Sequence, residues 1–460
     1  MNFIPATTRR SAFIACHPEI PLYDVDDSRY VDLTAVRGGE SLVLNIALAI
    51  EWAKNPDFHQ RLVTQQSSRE GRPDRVDTPD FHQQLVTGHP GCGKSTELFR
   101  LKAELEDKRF FVVYMDVADI LDLGDITYLD ILVGIAKCVV EELNNAGLEL
   151  NKQLLEELND WFADKTKTST EEKKEEGEIK ASVGIGASLP FLTKLLTDIT
   201  GQIKNSSSRR VEIRRTLEPE LDVFIHRLNI LVDAARAQLK NQEFVDLVII
   251  VDQLEKMVYQ PRKDGESNHT ELFVHHAGHL KAPHCHIIYT VPISLALTAN
   301  LADIYPAGKP FVIPMVNYHK QAGRVKLREI IERRIEINTV FEQPEDLETL
   351  IDMSGGAVRD LLRLVRLACM GEGALITWED VARAKRNMIM DYDRLVKRDD
   401  LARLKQVDEQ RWVDRTFADL LRQRIIHEYQ NGERWADLHP AVREIPWIKR
   451  ELNPPSKVQL

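Results

Sequence analysis

The run Gly88-His89-Pro90-Gly91-Cys92-Gly93-Lys94-Ser95, with Thr96 behind it, constrains this chain more than any other stretch. It has the form glycine, four residues, then Gly-Lys-Ser. Glycines let a loop wrap tightly enough for successive backbone N–H groups to converge on one anion. Such a loop needs a strand before it as a rigid support and a helix after it, whose N-terminal dipole points at the same place. Both are legible: QLVTG at 84–88 reads as a strand, and a helical stretch follows the loop. RFFVVYMDV at 109–117 then reads as a second strand. Strand, glycine loop, helix and strand in that order commit this part of the chain to a parallel α/β layout.

The same spacing carries chemistry. A loop of this type cradles the phosphates of a nucleotide, so Gly88, His89, Pro90, Gly91, Cys92, Gly93, Lys94, Ser95 and Thr96 are the candidate nucleotide-binding residues. Lys94 is expected to reach the β- and γ-phosphates, and Ser95 to hold Mg²⁺ through its hydroxyl. ATP and Mg²⁺ are therefore the expected ligands. The metal needs a carboxylate, and the attacking water needs a group to orient it. Asp252 ends the continuous apolar run LVIIVD at 247–252, as expected of a strand buried on both faces of a parallel sheet. It lies at the strand end where ligands of such sheets bind. Asp252 is assigned to the Mg²⁺ shell and Glu255, three residues on, to water activation. Asp246, at the other end of the strand, reads as structural.

The rest of the 460 residues narrows the class. Basic and acidic side chains number 61 and 72, a net charge of -11, so binding of a polyanion by the whole surface is excluded and only a local basic patch remains. Five scattered cysteines, without a CxxC pair, read as free thiols in a reducing compartment. The first residues lack a signal-like apolar block, and no run of about 18 apolar residues occurs. A cytoplasmic protein is the expectation. PDFHQRLVT at 56–64 returns as PDFHQQLVT at 79–87, with an exposed loop expected between the copies. Residues 1–40 read as an irregular arm, 164–180 as a polar linker or solvated helix, and 127–163, 190–204 and 217–240 as helices. HIIYTV at 286–291 and FVIPMV at 311–316 are further strand candidates, and Asn431-Gly432 marks a hairpin.

With these motifs in place the chain resembles the additional-strand P-loop ATPases, within them the AAA+ and STAND groups and their origin-recognition-like initiators. The resemblance implies a doubly wound parallel-sheet core at 41–320, with the exposed loop at 62–80 and a helical insertion at about 120–243. It further implies an N-terminal arm at 1–40, a helical lid at 321–390 and a winged-helix-like domain at 391–460. Where AAA+ enzymes carry adjacent Asp-Glu, Gln253 follows Asp252 here, so Glu255 is closer to the STAND style. By the same resemblance Thr290 is a sensor on the strand between the two motifs. Arg359, opening SGGAVRDLLRLVR at 354–366, is a γ-phosphate sensor, its fixed charge and forked donors suiting phosphate. Arg37 marks the base end of the pocket. Arg333 and Arg334 read as a solvated helix face, with an arginine finger as the alternative, and Arg363 and Arg366 as surface residues.

The histidines at 269, 275, 276, 279, 284 and 286 lack the ligand spacing of a zinc site. The amphipathic 182–204 segment is a candidate docking surface for a partner or another subunit, with packing on its own domain as the plainer reading. Trp412, Trp435 and Trp447 read as apolar anchors of the C-terminal part. The function that follows is an ATP-hydrolysing switch coupling nucleotide state to self-assembly or a protein partner, which the resemblance extends to bacterial stress or defence systems. A DNA-binding initiator or loader, and a scaffold that holds nucleotide with little turnover, are the alternatives.

Overall fold

The computed structural model describes residues 3–24, 26–53, 81–166, 188–263 and 265–453. The first copy of the duplicated segment, the loop after it, most of the polar linker and Gly184-x-Gly186 lie outside these residues. The centre is a five-stranded sheet of β1 (Gln83–Gly88), β2 (Phe111–Asp116), β3 (Leu247–Asp252), β4 (His286–Thr290) and β5 (Phe311–Ile313). The order is β2-β3-β4-β1-β5 and each pairing is parallel. β4 is the additional strand, inserted between the phosphate-loop strand and the strand ending in Asp252. This is a P-loop nucleoside-triphosphatase fold.

Alternation along each strand builds a core on both faces of the sheet. Val248 and Ile250 of β3 join one buried cluster, while Leu247, Ile249 and Val251 join the other. The second cluster is filled by the insertion, chiefly helices Tyr128–Asn145, Leu189–Asn205 and Leu221–Asn241. Leu189, Leu192, Leu196, Ile199 and Ile203 are all buried there. The apolar face of 189–205 is thus spent on its own domain, and of its large side chains Phe191 remains exposed.

The first cluster runs without interruption from the sheet through the lid helices into the C-terminal part. It takes in Leu361 and Val365 of helix Val358–Ala368 and Ile426, Tyr429 and Leu438 of the hairpin β6 (Ile426–Asn431) and β7 (Glu433–Leu438). Trp435 stacks on Tyr429 and Trp447 donates to Asp393, but Trp412 is 50% exposed. The helix Trp378–Leu395 runs through residue 391, where a domain boundary was expected.

The N-terminal arm is more ordered than its sequence pattern predicts. A reciprocal cap between Thr8 and Ser11 starts a helix at Arg9–Ala15, a signal too short to register as periodicity. Arg9 is buried and caps the lid. Its guanidinium donates to the carbonyls of Cys369, Ala368, Glu372 and Leu375 and pairs with Asp380 at 2.7 Å. Arg333 and Arg334 hold the same arm from behind. Arg334 is buried and donates to the carbonyls of Arg29 and Ile330, and Arg333 donates to those of Ser28 and Tyr30. The solvated-face reading therefore fails for Arg334: loop carbonyls of its own chain take the donors that water would have taken.

The helix Val358–Ala368 and the hairpin each reach the phosphate loop through one hydrogen bond. The Arg359 N–H, at the start of the lid helix, donates to the Gly91 carbonyl at 3.2 Å. The Glu428 N–H, on β6, donates to His89 Nε2 at 2.9 Å. Gly91 adopts a φ of +90°, and a Cβ there would stand 2.7 Å from Arg359 Cβ. Gly91→Ala is therefore expected to lower stability by about 1–3 kcal/mol through backbone strain and lid displacement. An unchanged urea midpoint would show that lid and loop do not meet this closely.

Candidate functional site

The phosphate loop and the β3 end meet because β1 and β3 flank β4 and finish on the same edge of the sheet. The Ser95 hydroxyl lies close enough to the Asp252 carboxylate to favour its charged form. Tyr114 Oη donates to the other side of that carboxylate at 2.6 Å, and the Gln253 N–H donates to Asp252 Oδ1 at 2.7 Å. Asp252 is wholly buried.

Lys94, also buried, folds back over its own loop. Its Nζ donates to the carbonyls of Gly88 and His89 at 3.0 and 3.2 Å and lies 3.1 Å from Glu255 Oε1. Thr290 Oγ1 accepts the Leu254 N–H at 3.1 Å and lies near enough to Glu255 to help lower its pKa. Thr290, Glu255 and Lys94 thus sit together between β4 and the phosphate loop. Glu255 Oε2 is buried without a hydrogen-bond partner.

The charges divide unequally. Burial raises the Asp252 pKa and Glu255 raises it further, against the bonds from Ser95 and Tyr114. Burial also pushes Glu255 upward, but Lys94 and Thr290 outweigh it, so its carboxyl sits below the usual glutamate range. Lys94 is pushed down by burial and held up by Glu255, with a net upward shift. Glu255 and Lys94 therefore form the ion pair, and Asp252 is the carboxylate with charge still to be balanced. Two oxygen donors already in contact, Ser95 and Asp252, suit a hard cation such as Mg²⁺.

Of the loop residues, Gly91, Cys92, Gly93, Lys94, Ser95 and Thr96 line a pocket together with Arg37, Glu255 and Arg359. Its apolar wall comes from Ile20, Leu22, Val31 and Leu33 of the arm and Leu362 of the lid. His89 turns away from this pocket toward the hairpin, so within the loop its side chain serves the fold. Cys92 is a buried free thiol. Arg37 is buried against the loop rather than at a distance from it: it donates to the Cys92 carbonyl and lies 3.6 Å from Glu97. Arg359 Nη2 lies 3.5 Å from Glu19 Oε2, and its Nε is buried without a partner.

Asp116 is the residue that sequence reasoning passed over. It pairs in register with Asp252, one strand away. Burial, then Asp119 and Asp252, raise its pKa to about 6. The Gln253 side chain donates to it from a residue held at a φ of +70°. An aspartate closing the run RFFVVYMD was the available signal, equivalent in place to Asp252. Asp246, as expected, is structural, bonded to Arg236 at 2.6 Å.

Five of the six histidines of the 269–286 stretch take separate partners: Met257 for His269, Glu266 for His275, Glu271 for His276, Asp233 for His284 and the His82 amide for His286. His279 stacks on Tyr128. A different trio, Asp360, His427 and His439, gathers its ligand-type atoms within 4.8 Å. Backbone bonds set its tautomers. His427 Nδ1 faces the Gly355 carbonyl and must carry hydrogen, while His439 Nδ1 accepts the Ala441 N–H and must not. His439 Nε2–H then faces Asp360, 3.7 Å away, and Arg424 lies 3.2 Å from the same carboxylate. A proton and a guanidinium already balance this carboxylate.

No protein-family model and no curated protein sequence matches the chain. Among solved structures it is similar to three proteins described as follows. The ORC1 protein of Aeropyrum pernix in complex with DNA is 14% identical over 87% of this chain and 98% of that one, with a TM-score of 0.35. The Walker-type ATPase PABY2304 of Pyrococcus abyssi is 13% identical over 86% and 95%, with a TM-score of 0.35. Cdc6p of Pyrobaculum aerophilum is 13% identical over 92% and 99%, also at 0.35. The strand order and phosphate loop described above are this chain's own ground for its fold class.

Proposed function

We propose that this chain binds ATP with Mg²⁺, hydrolyses it, and uses the difference between nucleotide states to reposition the lid and the C-terminal hairpin for a partner. The observation that carries this is the approach of Ser95, behind the phosphate loop, to the buried Asp252 carboxylate at the end of a separate strand. Residues 88–96 would hold the triphosphate through backbone N–H groups. Lys94 would exchange its loop carbonyls for phosphate oxygens, leaving Glu255 to orient water from the β3 side, with Thr290 keeping that carboxylate in place. Ser95 and Asp252 would hold Mg²⁺, which supplies positive charge to the phosphates when bound. Asp116 and Tyr114 would act through Asp252 as positioning residues. Arg359 lies in the wall of the pocket at the lid end and would sense the terminal phosphate. Because Arg359 and His89 are also the two points at which lid and hairpin touch the loop, a change in the loop reaches both. A DNA-engaging initiator would use the same site and differ by salt-sensitive duplex binding.

Lys94→Ala removes a charge-assisted bond worth about 1.5–3 kcal/mol and is expected to weaken ATP at least about tenfold by calorimetry. Equal affinity would refute the loop assignment. Glu255→Gln is expected to retain ATP while turnover falls about 10²- to 10⁴-fold. Undiminished phosphate release by this variant would move the water-orienting role elsewhere.

A further inference from the structure

On the other side of Arg359 from the nucleotide pocket lies a second concavity of ≈ 340 Å³. Its wall holds Arg359, Arg363, Arg366 and Arg424, with Glu19 and Asp360 as the acids. Four guanidinium groups converge on one cleft of a chain whose net charge is -11.

Arg359, Arg363 and Arg424 each meet one carboxylate, of Glu19, Asp391 and Asp360, while Arg366 has no acidic partner among the described residues. Arg359, Arg363 and Arg366 stand at i, i+4 and i+7 of helix Val358–Ala368, on one flank. Like charges at that spacing repel rather than support a helix. Arg363 reaches Asp391 on another helix at 3.1 Å, and Arg366 lies over the Phe13 ring at 4.0 Å, a contact that leaves its N–H donors free for an anion. Arg359 has the Glu19 carboxylate at 3.5 Å, longer than a hydrogen bond, and an unpartnered Nε. Arg424 closes the cleft from the turn before β6, on a backbone held at a φ of +61°, where residues other than glycine are uncommon. Asp360, its partner, is buried and turned toward His439.

We infer that this cleft is a second anion site that takes a phosphate-bearing ligand. Guanidinium forks match phosphate oxygens in geometry and charge. The ligand is either a small free phosphate ester or diphosphate, or a backbone phosphate of a nucleic acid; the chemistry of recognition is the same. Arg359 belongs to both pockets, so occupancy of the cleft and the state of the nucleotide are thermodynamically linked through it. The cleft itself does not depend on the ATPase reading.

The test uses the full chain and inorganic pyrophosphate, titrated by calorimetry into wild type, Lys94→Ala, the double variant Arg363→Ala/Arg366→Ala and the triple variant that combines them. Neither cleft residue lines the nucleotide pocket, and Arg363 is half-exposed. Binding that survives in Lys94→Ala and weakens about tenfold or more when the double substitution is added to Lys94→Ala supports the site. Pyrophosphate binding that Lys94→Ala abolishes, or that the double substitution leaves unchanged, overturns it. A thermal midpoint for the double variant equal to wild type secures the comparison, and Arg363→Lys/Arg366→Lys restoring binding does so where the midpoint falls. A failure of the ATPase reading shows separately, as absent ATP binding with the cleft intact. A second arm identifies the source. A single-stranded oligonucleotide that competes with pyrophosphate, with a salt slope reduced in the double variant, marks nucleic acid as the ligand. Pyrophosphate binding without such competition marks a small phosphorylated molecule.

Discussion

The approach of Ser95, at the start of the helix that leaves the phosphate loop, to the buried Asp252 carboxylate at the end of β3 is the constraint around which the site is organised. It depends on β1 and β3 running parallel with β4 between them, so that all three end at one edge. A parallel sheet must be covered on both faces. The insertion helices cover one face, and the helices of the arm, lid and C-terminal part cover the other. The extra chain between β2 and β3 is therefore foremost a structural layer. Without it, Leu247, Ile249 and Val251 would face water.

Around that contact, buried charges are apportioned by competition. Glu255 and Asp252 share a buried site with one ammonium. Lys94 goes to Glu255, which leaves Asp252 with hydroxyl donors and a raised pKa. Asp116 adds a third carboxyl, also raised. Concentrated negative charge in a low-dielectric pocket is costly until a cation arrives. Gln253, on a left-handed backbone, brings a donor to Asp116.

The C-terminal hairpin has a different character from a mobile tail. β6 gives its Glu428 N–H to His89 inside the phosphate loop, and its Glu428 carbonyl accepts the Met315 N–H from the chain beyond β5. Gly355 and Gly356 allow the approach. A Cβ at Gly356 would lie 1.9 Å from the Val316 carbonyl oxygen, and one at Gly355 would meet Pro440 at 2.8 Å. The loop, the helix Val358–Ala368 and the hairpin are consequently packed against one another beside the pocket. Packed interfaces shift between discrete arrangements more readily than they deform.

Much of this was legible in the sequence, because local patterns carry their own physics. The spacing from Gly88 to Ser95 permits one backbone geometry, and an apolar run of the length of LVIIV ending in Asp252 belongs at the centre of a parallel sheet. These two patterns determined the fold class, the loop, the expected ligands and the candidate carboxylates. Periodicity likewise placed the insertion helices Tyr128–Asn145, Leu189–Asn205 and Leu221–Asn241, but not the arginine-rich helix Ser207–Leu217. What the sequence left open depends on partners distant along the chain. Whether His89 faces phosphate or a hairpin, whether Arg334 meets water or carbonyls, and whether Arg363 and Arg366 stand alone or beside Arg424 are questions of long-range packing. So is the pairing of Asp116 with Asp252, since strand register is a property of two segments together. Local composition does not encode such contacts; burial against a specific neighbour creates them, and only the folded chain brings that neighbour within reach.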